Sequence, residues 1–325
     1  MKTRCIFVPK IGRFQWTQKE LPPLQDDEVL VEVEVAGLCR TDLKIIRHGH
    51  HDLVLPRIPG EEAVGRIVSK GPAVSGFDEG DRVYVYPGIW CGKCPSCLKG
   101  AQNLCLKMQI MGFHRDGGFA EFVIAPDQSL IKLPEHLLSD TAVLAEPLSC
   151  CLNALELGCV QPGDEVGIWG AGPAGLLLAR AAKVMGAAAV NIEPDHRRRT
   201  FAQGVAHCNK DQVFDVCVVA VGSVQAYREA LAHLRPRGIL VVFSGLLPVD
   251  DCVDLKLNQL HYHEQSLVGA YGCAYRHGIQ ALKWLAAGTI LVEDMVSHRM
   301  PLTSLEEALQ LVENRESIKI LLYPS

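Results

Sequence analysis

At 325 residues the chain is long enough to bury a sizeable core, and two domains are the natural division. Charged residues make up 21% and apolar ones 48%, a globular balance that excludes a disordered chain. A net charge of -5, with no basic run denser than Arg197, Arg198 and Arg199, excludes a nucleic-acid surface and leaves small molecules as the expected partners. The N-terminal apolar run is too short for a signal segment, and no stretch approaches the ~18 apolar residues that cross a bilayer. No membrane partner and a cytoplasmic location are therefore expected.

Taken in chain order, residues 28–36 alternate glutamate with valine or leucine, the period-two pattern of a half-buried strand. Short strands are predicted at 65–69, 81–86 and 121–125, separated by glycine and proline turns, so the first half reads as mostly β. Between the second and third of these lies a crowd of cysteines. Of thirteen in the chain, Cys91, Cys94 and Cys97 stand three residues apart and Cys105 follows eight later. Four thiolates close a tetrahedral zinc shell with no open position, the arrangement of a structural site. A disulfide pair and an iron–sulfur cluster are the competing readings of the same residues.

After about residue 150 apolar runs alternate with helical stretches in the manner of a parallel sheet. Strands are predicted at 164–169, 189–193, 213–220 and 239–244, and helices near 174–185, 196–206 and 224–234. The first strand runs directly into Gly170, Gly172, Pro173, Ala174 and Gly175, which open an apolar helix. In that setting the glycines allow a tight turn, close approach of a pyrophosphate to the backbone, and close packing of helix on strand. The phosphates would sit on free N–H groups at the helix N-terminus. Glu193, at the end of the next strand, is placed to accept the ribose hydroxyls of NAD. Arg198, with Arg197 and Arg199, offers the alternative of a 2′-phosphate and hence NADP. Residues 302–314 read as a helix and 318–323 as a strand returning to the first domain.

The order of motifs resembles the zinc-dependent medium-chain dehydrogenase/reductase family, in particular its sorbitol, threonine and sugar-alcohol phosphate dehydrogenases. The resemblance covers nearly the whole chain. It rests on Gly37-Leu-Cys39-Arg-Thr41-Asp42, Pro59-Gly60-Glu61-Glu62, the four cysteines, Ala145-Glu146-Pro147-Leu148-Ser-Cys150, and the glycine turn. It implies a Rossmann-type parallel-sheet nucleotide domain over 151–286 and a mostly β, GroES-like catalytic domain over 1–150 and 287–325. It also implies a homodimer or homotetramer and hydride exchange between NAD(P) and an alcohol at a zinc ion.

By that resemblance Cys39 is the first catalytic ligand, Thr41 the relay hydroxyl, and Lys44 stands where many relatives carry a relay histidine. Either Glu146 or Cys150 supplies a further ligand. The chain departs from the family at Glu61, which replaces the usual histidine and leaves Glu61 and Glu62 as a carboxylate pair, both expected as ligands of the catalytic metal and Glu62 also as a catalytic group. Carboxylate oxygen binds zinc, but an anion in place of neutral imidazole makes the metal a weaker Lewis acid. His48, His50 and His51 lie on the intervening loop as reserve imidazoles. Outside this context Cys39 reads as a buried thiol and the two glutamates as a solvated pair.

The expected activity is interconversion of a secondary alcohol or polyol with its ketone. Two alternatives stay open: a zinc-free reductase of an activated double bond or imine, and a dinucleotide-binding protein without turnover. A second departure is the six-residue span 207–212 where relatives insert a strand and a helix, so a missing helix and a trimmed sheet edge are expected.

Overall fold

The computed structural model describes residues 1–200, 205–206, 211–246 and 252–324. The chain forms two compact units, Met1–Glu146 with Ala274–Ser325, and Pro147–Cys273.

The first unit opens with an antiparallel hairpin, β1 (Lys2–Lys10) and β2 (Arg13–Glu20), which sequence patterning had not singled out. Next come β3 (Glu28–Leu38), helix α1 (Arg40–Arg47), β4 (Glu62–Lys70) and β5 (Arg82–Val85). A small hairpin, β6 (Gly88–Ile89) and β7 (Gln109–Ile110), frames the cysteine segment and its short helix α2 (Pro95–Leu98). Strands β8 (Phe122–Pro126) and β9 (Leu130–Lys132) follow, then helix α3 (Ser139–Ala142). In β3 the valines 29, 31, 33 and 35 are buried while Glu32 is exposed, as alternation requires of a strand with one face on the core. Glu34 turns to Arg66 and Arg82.

Helix α4 (Ala145–Leu157) carries the chain into the second unit. There β10 (Glu165–Trp169), helix α5 (Pro173–Val184), β11 (Ala188–Ile192), helix α6 (His196–Thr200) and the two-residue β12 (Val205–Ala206) succeed one another. They are followed by β13 (Phe214–Val219), helix α7 (Val224–Ala232), β14 (Leu234–Val242), helix α8 (Leu257–His263) and β15 (Ser266–Gly269). The six strands are parallel in the order β12-β11-β10-β13-β14-β15, a doubly wound sheet that reverses direction beside β10. Trp169, Phe214, Val219 and Leu240 anchor part of its core.

At the sheet edge β12 pairs with β11 through Val205 and Ala206, where the sequence had suggested the end of a helix; the trimming expected of this edge falls on residues outside the described ones. The helix expected to be missing would fall at 207–212, of which 207–210 lie outside the described residues, as do 201–204 of the helix expected at 196–206. Strand β14 begins at Leu234, five residues earlier than expected from the sequence. Its pairing shifts between Phe214↔Leu234 and Val216↔Ile239, so Arg235-Pro-Arg-Gly238, which reads as a turn, bulges within the strand.

The chain returns to the first unit with helix α9 (Tyr275–Ala286), β16 (Val296–Pro301), helix α10 (Leu305–Glu313) and β17 (Lys319–Tyr323). Strand β17 pairs antiparallel with β3, the rejoining anticipated from the C-terminal pattern, and completes a seven-stranded sheet. Among the described residues no helix is long and apolar enough to cross a membrane.

Candidate active site and zinc lobe

In the lobe between β6 and β7, Cys91, Cys94, Cys97 and Cys105 converge although they span fifteen positions. The Sγ atoms of Cys94 and Cys97 are 3.5 Å apart, those of Cys94 and Cys105 3.9 Å, and those of Cys91 and Cys97 4.0 Å. A zinc–sulfur bond of about 2.3 Å sets the edge of a tetrahedron near 3.8 Å, so the cage fits that ion. Backbone N–H groups of Cys91 and Lys107 point at the Cys105 sulfur, each at 3.3 Å. Those of Cys97 and Leu106 hold the Cys94 thiol down at about 6. The backbone donors thus favour the Cys94 thiolate, while burial pushes the Cys97 thiol up.

A second constellation forms where the end of β3 meets the starts of β4 and β17. Register places Gly37 opposite Glu62, and Ile320 opposite Leu38, so Cys39, Glu62 and Lys319 gather at one corner. Gly37 is required there: a Cβ on it would lie 1.9 Å from Glu62 Oε2. Cys39 caps α1, its Sγ accepting from Thr41 N–H at 3.4 Å, while Asp42 Oδ2 accepts the Cys39 N–H at 2.9 Å. Lys44 lies on the same helix, half-buried.

Lys319 Nζ donates to Glu62 Oε1 at 2.5 Å and to Leu38 O at 3.2 Å, with both side chains essentially inaccessible to solvent. Burial pulls the Lys319 pKa down, but Glu62 and Cys39 outweigh it and the net direction is up. Burial and Glu62 together push the Cys39 thiol well up, with Lys319 opposing them. Burial likewise lifts Asp42 to about 7, with Glu62 adding to it.

Glu62 therefore spends its carboxylate on an internal ammonium. Sequence reasoning missed Lys319, although a lysine among isoleucines and leucines at 318–322 is a signal: such a residue is either exposed or matched to a buried acid. Glu61, beside it, is half-buried. Glu146 and Cys150 stand one helical turn apart on α4. The reserve imidazoles His50 and His51 cluster instead about Asp52, whose Oδ2 is 3.7 Å from His50 Nδ1 and 3.2 Å from His51 Nε2. His48 is exposed at the end of α1.

In the second unit the glycine turn follows β10. Gly170 has φ +116°, which favours glycine, and a Cβ on Gly175 would lie 2.1 Å from Gly170 O. Asn191 Nδ2 bonds the carbonyls of Gly170 and Gly175 at 2.9 and 2.8 Å and fixes the turn from beneath. Gly172 caps α5 and Pro173 is its first residue, where a missing N–H costs nothing. Ala174 accepts a bond from Cys151 Sγ.

Glu193, buried at the end of β11, accepts Ala171 N–H at 3.0 Å and Asp195 N–H at 3.1 Å. Its carboxylate thus lies directly over the turn. The Arg198 guanidinium reaches the space above Gly172, 3.2 Å from where a Cβ would stand, whereas Arg199 is tied to the carbonyls of Glu193 and Pro194. The Arg197 side chain lies outside the described residues.

A parallel sheet with a glycine turn at its reversal, and a β unit with a four-thiolate cage, define a dinucleotide-dependent dehydrogenase with a zinc lobe. Comparison with known proteins agrees. Residues 25–135 match the alcohol dehydrogenase GroES-like domain. The chain is 30% identical to sorbitol dehydrogenase of Bacillus subtilis, over 94% of this chain and 92% of that one. It is 32% identical to D-altritol 5-dehydrogenase of Agrobacterium fabrum, over 92% of each. A zinc-binding dehydrogenase from Sinorhizobium meliloti bound to NADP superposes with a TM-score of 0.92 at 26% identity, over all of both chains. The chain belongs to the zinc-containing medium-chain alcohol dehydrogenase family, whose sorbitol- and altritol-dehydrogenase members it is similar to.

Proposed function

We propose that the protein is an NAD(P)-dependent oxidoreductase that interconverts a secondary alcohol of a polyol with its ketone, with NAD as the preferred cofactor. The observation that carries this reading is the glycine turn with Glu193 lying over it. The turn leaves backbone N–H groups for a pyrophosphate, and the carboxylate is positioned to accept ribose hydroxyls and to repel a 2′-phosphate. Arg198 beside Gly172 is the residue that would favour NADP.

The lobe cysteines would hold a structural zinc. Cys39, Glu61, Glu146 and Cys150 are the proposed ligands of a catalytic zinc, which when bound polarises the substrate oxygen. Glu62 is placed one step back: held by Lys319, it adds no uncompensated charge to the ligand set. Thr41, whose N–H orients the Cys39 sulfur, is the proposed hydroxyl of the proton path, with Lys44 on the same helix beyond it. Substrate class is supported by the polyol-dehydrogenase relatives.

The reading includes a cytoplasmic location, which suits a four-thiolate site, and a homodimer or homotetramer. The edge strand β15 and helix α8 expose Leu267, Leu257 and Tyr262, apolar side chains that a second copy would cover. The test of the reaction is a screen of zinc-loaded protein for NAD+ and NADP+ reduction with polyols, sugar acids and simple secondary alcohols. Polyol-dependent reduction is expected. Turnover only of enones or imines, with NAD(P)H consumed, would replace it with the zinc-free reductase.

A further inference from the structure

The loop between α1 and β4 carries a further cluster of metal-donor side chains, His50, His51 and Asp52. They are consecutive in the chain, and consecutive side chains ordinarily point apart. Here they converge. Asp52 Oδ2 lies 3.2 Å from His51 Nε2 and 3.7 Å from His50 Nδ1, the two ring centroids are 4.0 Å apart, and one donor atom from each residue lies within 4.8 Å of the others. Zinc bonds of about 2.0–2.1 Å to imidazole nitrogen and carboxylate oxygen set a tetrahedral edge of about 3.3–3.4 Å, so the two nitrogen–oxygen distances bracket that of a bound ion. The surrounding fold holds the loop in this shape. Gly49 has φ +81°, which favours glycine, and a Cβ on it would press to 2.6 Å on the Ile11 side chain at the turn of the first hairpin. Phe113, buried after β7, meets the His50 ring edge-on at 5.1 Å, and its carbonyl accepts the Val54 N–H at 3.0 Å. The Asp52 N–H donates to His50 Nδ1 at 3.2 Å, which marks that nitrogen as the unprotonated one. The bond is at the long end of the range, and a cation on the same lone pair would replace it.

We propose that His50, His51 and Asp52 form a separate site for a divalent transition-metal cation, zinc in the first place, at the opposite end of α1 from the proposed catalytic ligand Cys39. Cys39 caps the N-terminus of that eight-residue helix and His50 stands two residues past its C-cap, so the helix alone separates them by about 12 Å at 1.5 Å per residue. Two imidazoles and one carboxylate suit zinc, nickel or copper over magnesium or calcium, which take oxygen shells. Three protein donors leave a tetrahedral ion one position for water, and His51, with 77% of its side chain exposed, gives the metal entry directly from solvent. Neutral imidazoles and one carboxylate leave a net charge of about +1, so the bound ion needs no further buried anion. The site is built from the first unit alone. It draws on neither the proposed catalytic ligands nor the dinucleotide turn, and so stands independently of the proposed reaction.

The test is a zinc titration of the full-length protein, read by metal analysis and by the imidazole proton–nitrogen correlations of histidine-labelled protein. His51→Ala removes the exposed donor and Asp52→Asn removes the anion at nearly constant shape, so both variants should keep the melting temperature of the metal-free parent. The parent should retain about one zinc per chain more than either variant. Zinc should shift Nδ1 of His50 and Nε2 of His51, and each variant should bind this ion at least about tenfold more weakly, since even the outer partners of metal ligands contribute that much to affinity. Equal zinc counts in the parent and both variants, or zinc that shifts neither nitrogen, overturns the proposal. Cys39→Ser and Cys94→Ser should leave both resonances responsive to zinc. Loss of that response in either would place the ion at the catalytic or the lobe ligands and overturn the proposal as well.

Discussion

Replacing Lys319 with methionine keeps the length and most of the volume of the side chain but deletes the cation that neutralises Glu62. The pair is shut off from solvent, and its remaining donor contact is to Leu38 O. Glu62 would be left as a buried carboxylate facing Cys39, a change that costs about 3–5 kcal/mol when one partner of an internal ion pair is removed. The cavity contribution is small because methionine fills the same space. For a unit of this size the loss corresponds to roughly 6–20 °C in melting temperature. Differential scanning calorimetry of the single variant and of Glu62→Gln/Lys319→Met separates the causes, since the double variant removes the stranded charge and should recover most of the loss. A single variant that melts within about 2 °C of the parent would show instead that the carboxylate has another cation or a proton to relieve it.

Cys94→Ser should remove about one zinc per chain and lower the melting temperature, since a closed thiolate shell contributes folding free energy; atomic absorption and calorimetry read both effects. Calorimetric titration should find NADH binding at least about tenfold more tightly than NADPH, about 1.4 kcal/mol, and Glu193→Ala should narrow that gap. In metal-free protein, burial holds Asp42 at about 7 while the unfolded chain ionises near the ordinary 3.8. The folded state therefore binds the extra proton in that window, and stability should fall as pH rises from about 4 to about 7. Asp42→Asn should flatten that slope in urea titrations while still accepting the Cys39 N–H.

The features legible in the sequence are those whose residues are neighbours in the chain. The glycine turn and the four cysteines carry their geometry in their spacing, because a turn and a metal loop are local objects. Alternation in β3 and the apolar run of β17 were equally readable. The bulge in β14 was not, since a proline and a glycine inside a strand are indistinguishable from a turn until the partner strand fixes the register. Lys319 was missed for a different reason. It acquires its role only when β17 returns to β3 and brings it to Glu62, more than a hundred positions away in the chain. The first hairpin lacked a clear apolar period because β2 is mostly half-buried or exposed.

The proposed reaction is hydride transfer between a polyol carbon and a nicotinamide at a metal site that has lost its histidine. Incubating zinc-loaded protein with NAD+ and a polyol deuterated at its secondary carbinol carbons, then analysing the cofactor by mass spectrometry, tests it most directly. Reduced cofactor carrying deuterium from the polyol is expected, formed only with zinc present and diminished in Cys39→Ser. Reduced cofactor without deuterium, or none from any polyol in protein shown to bind both zinc and NADH, would contradict it.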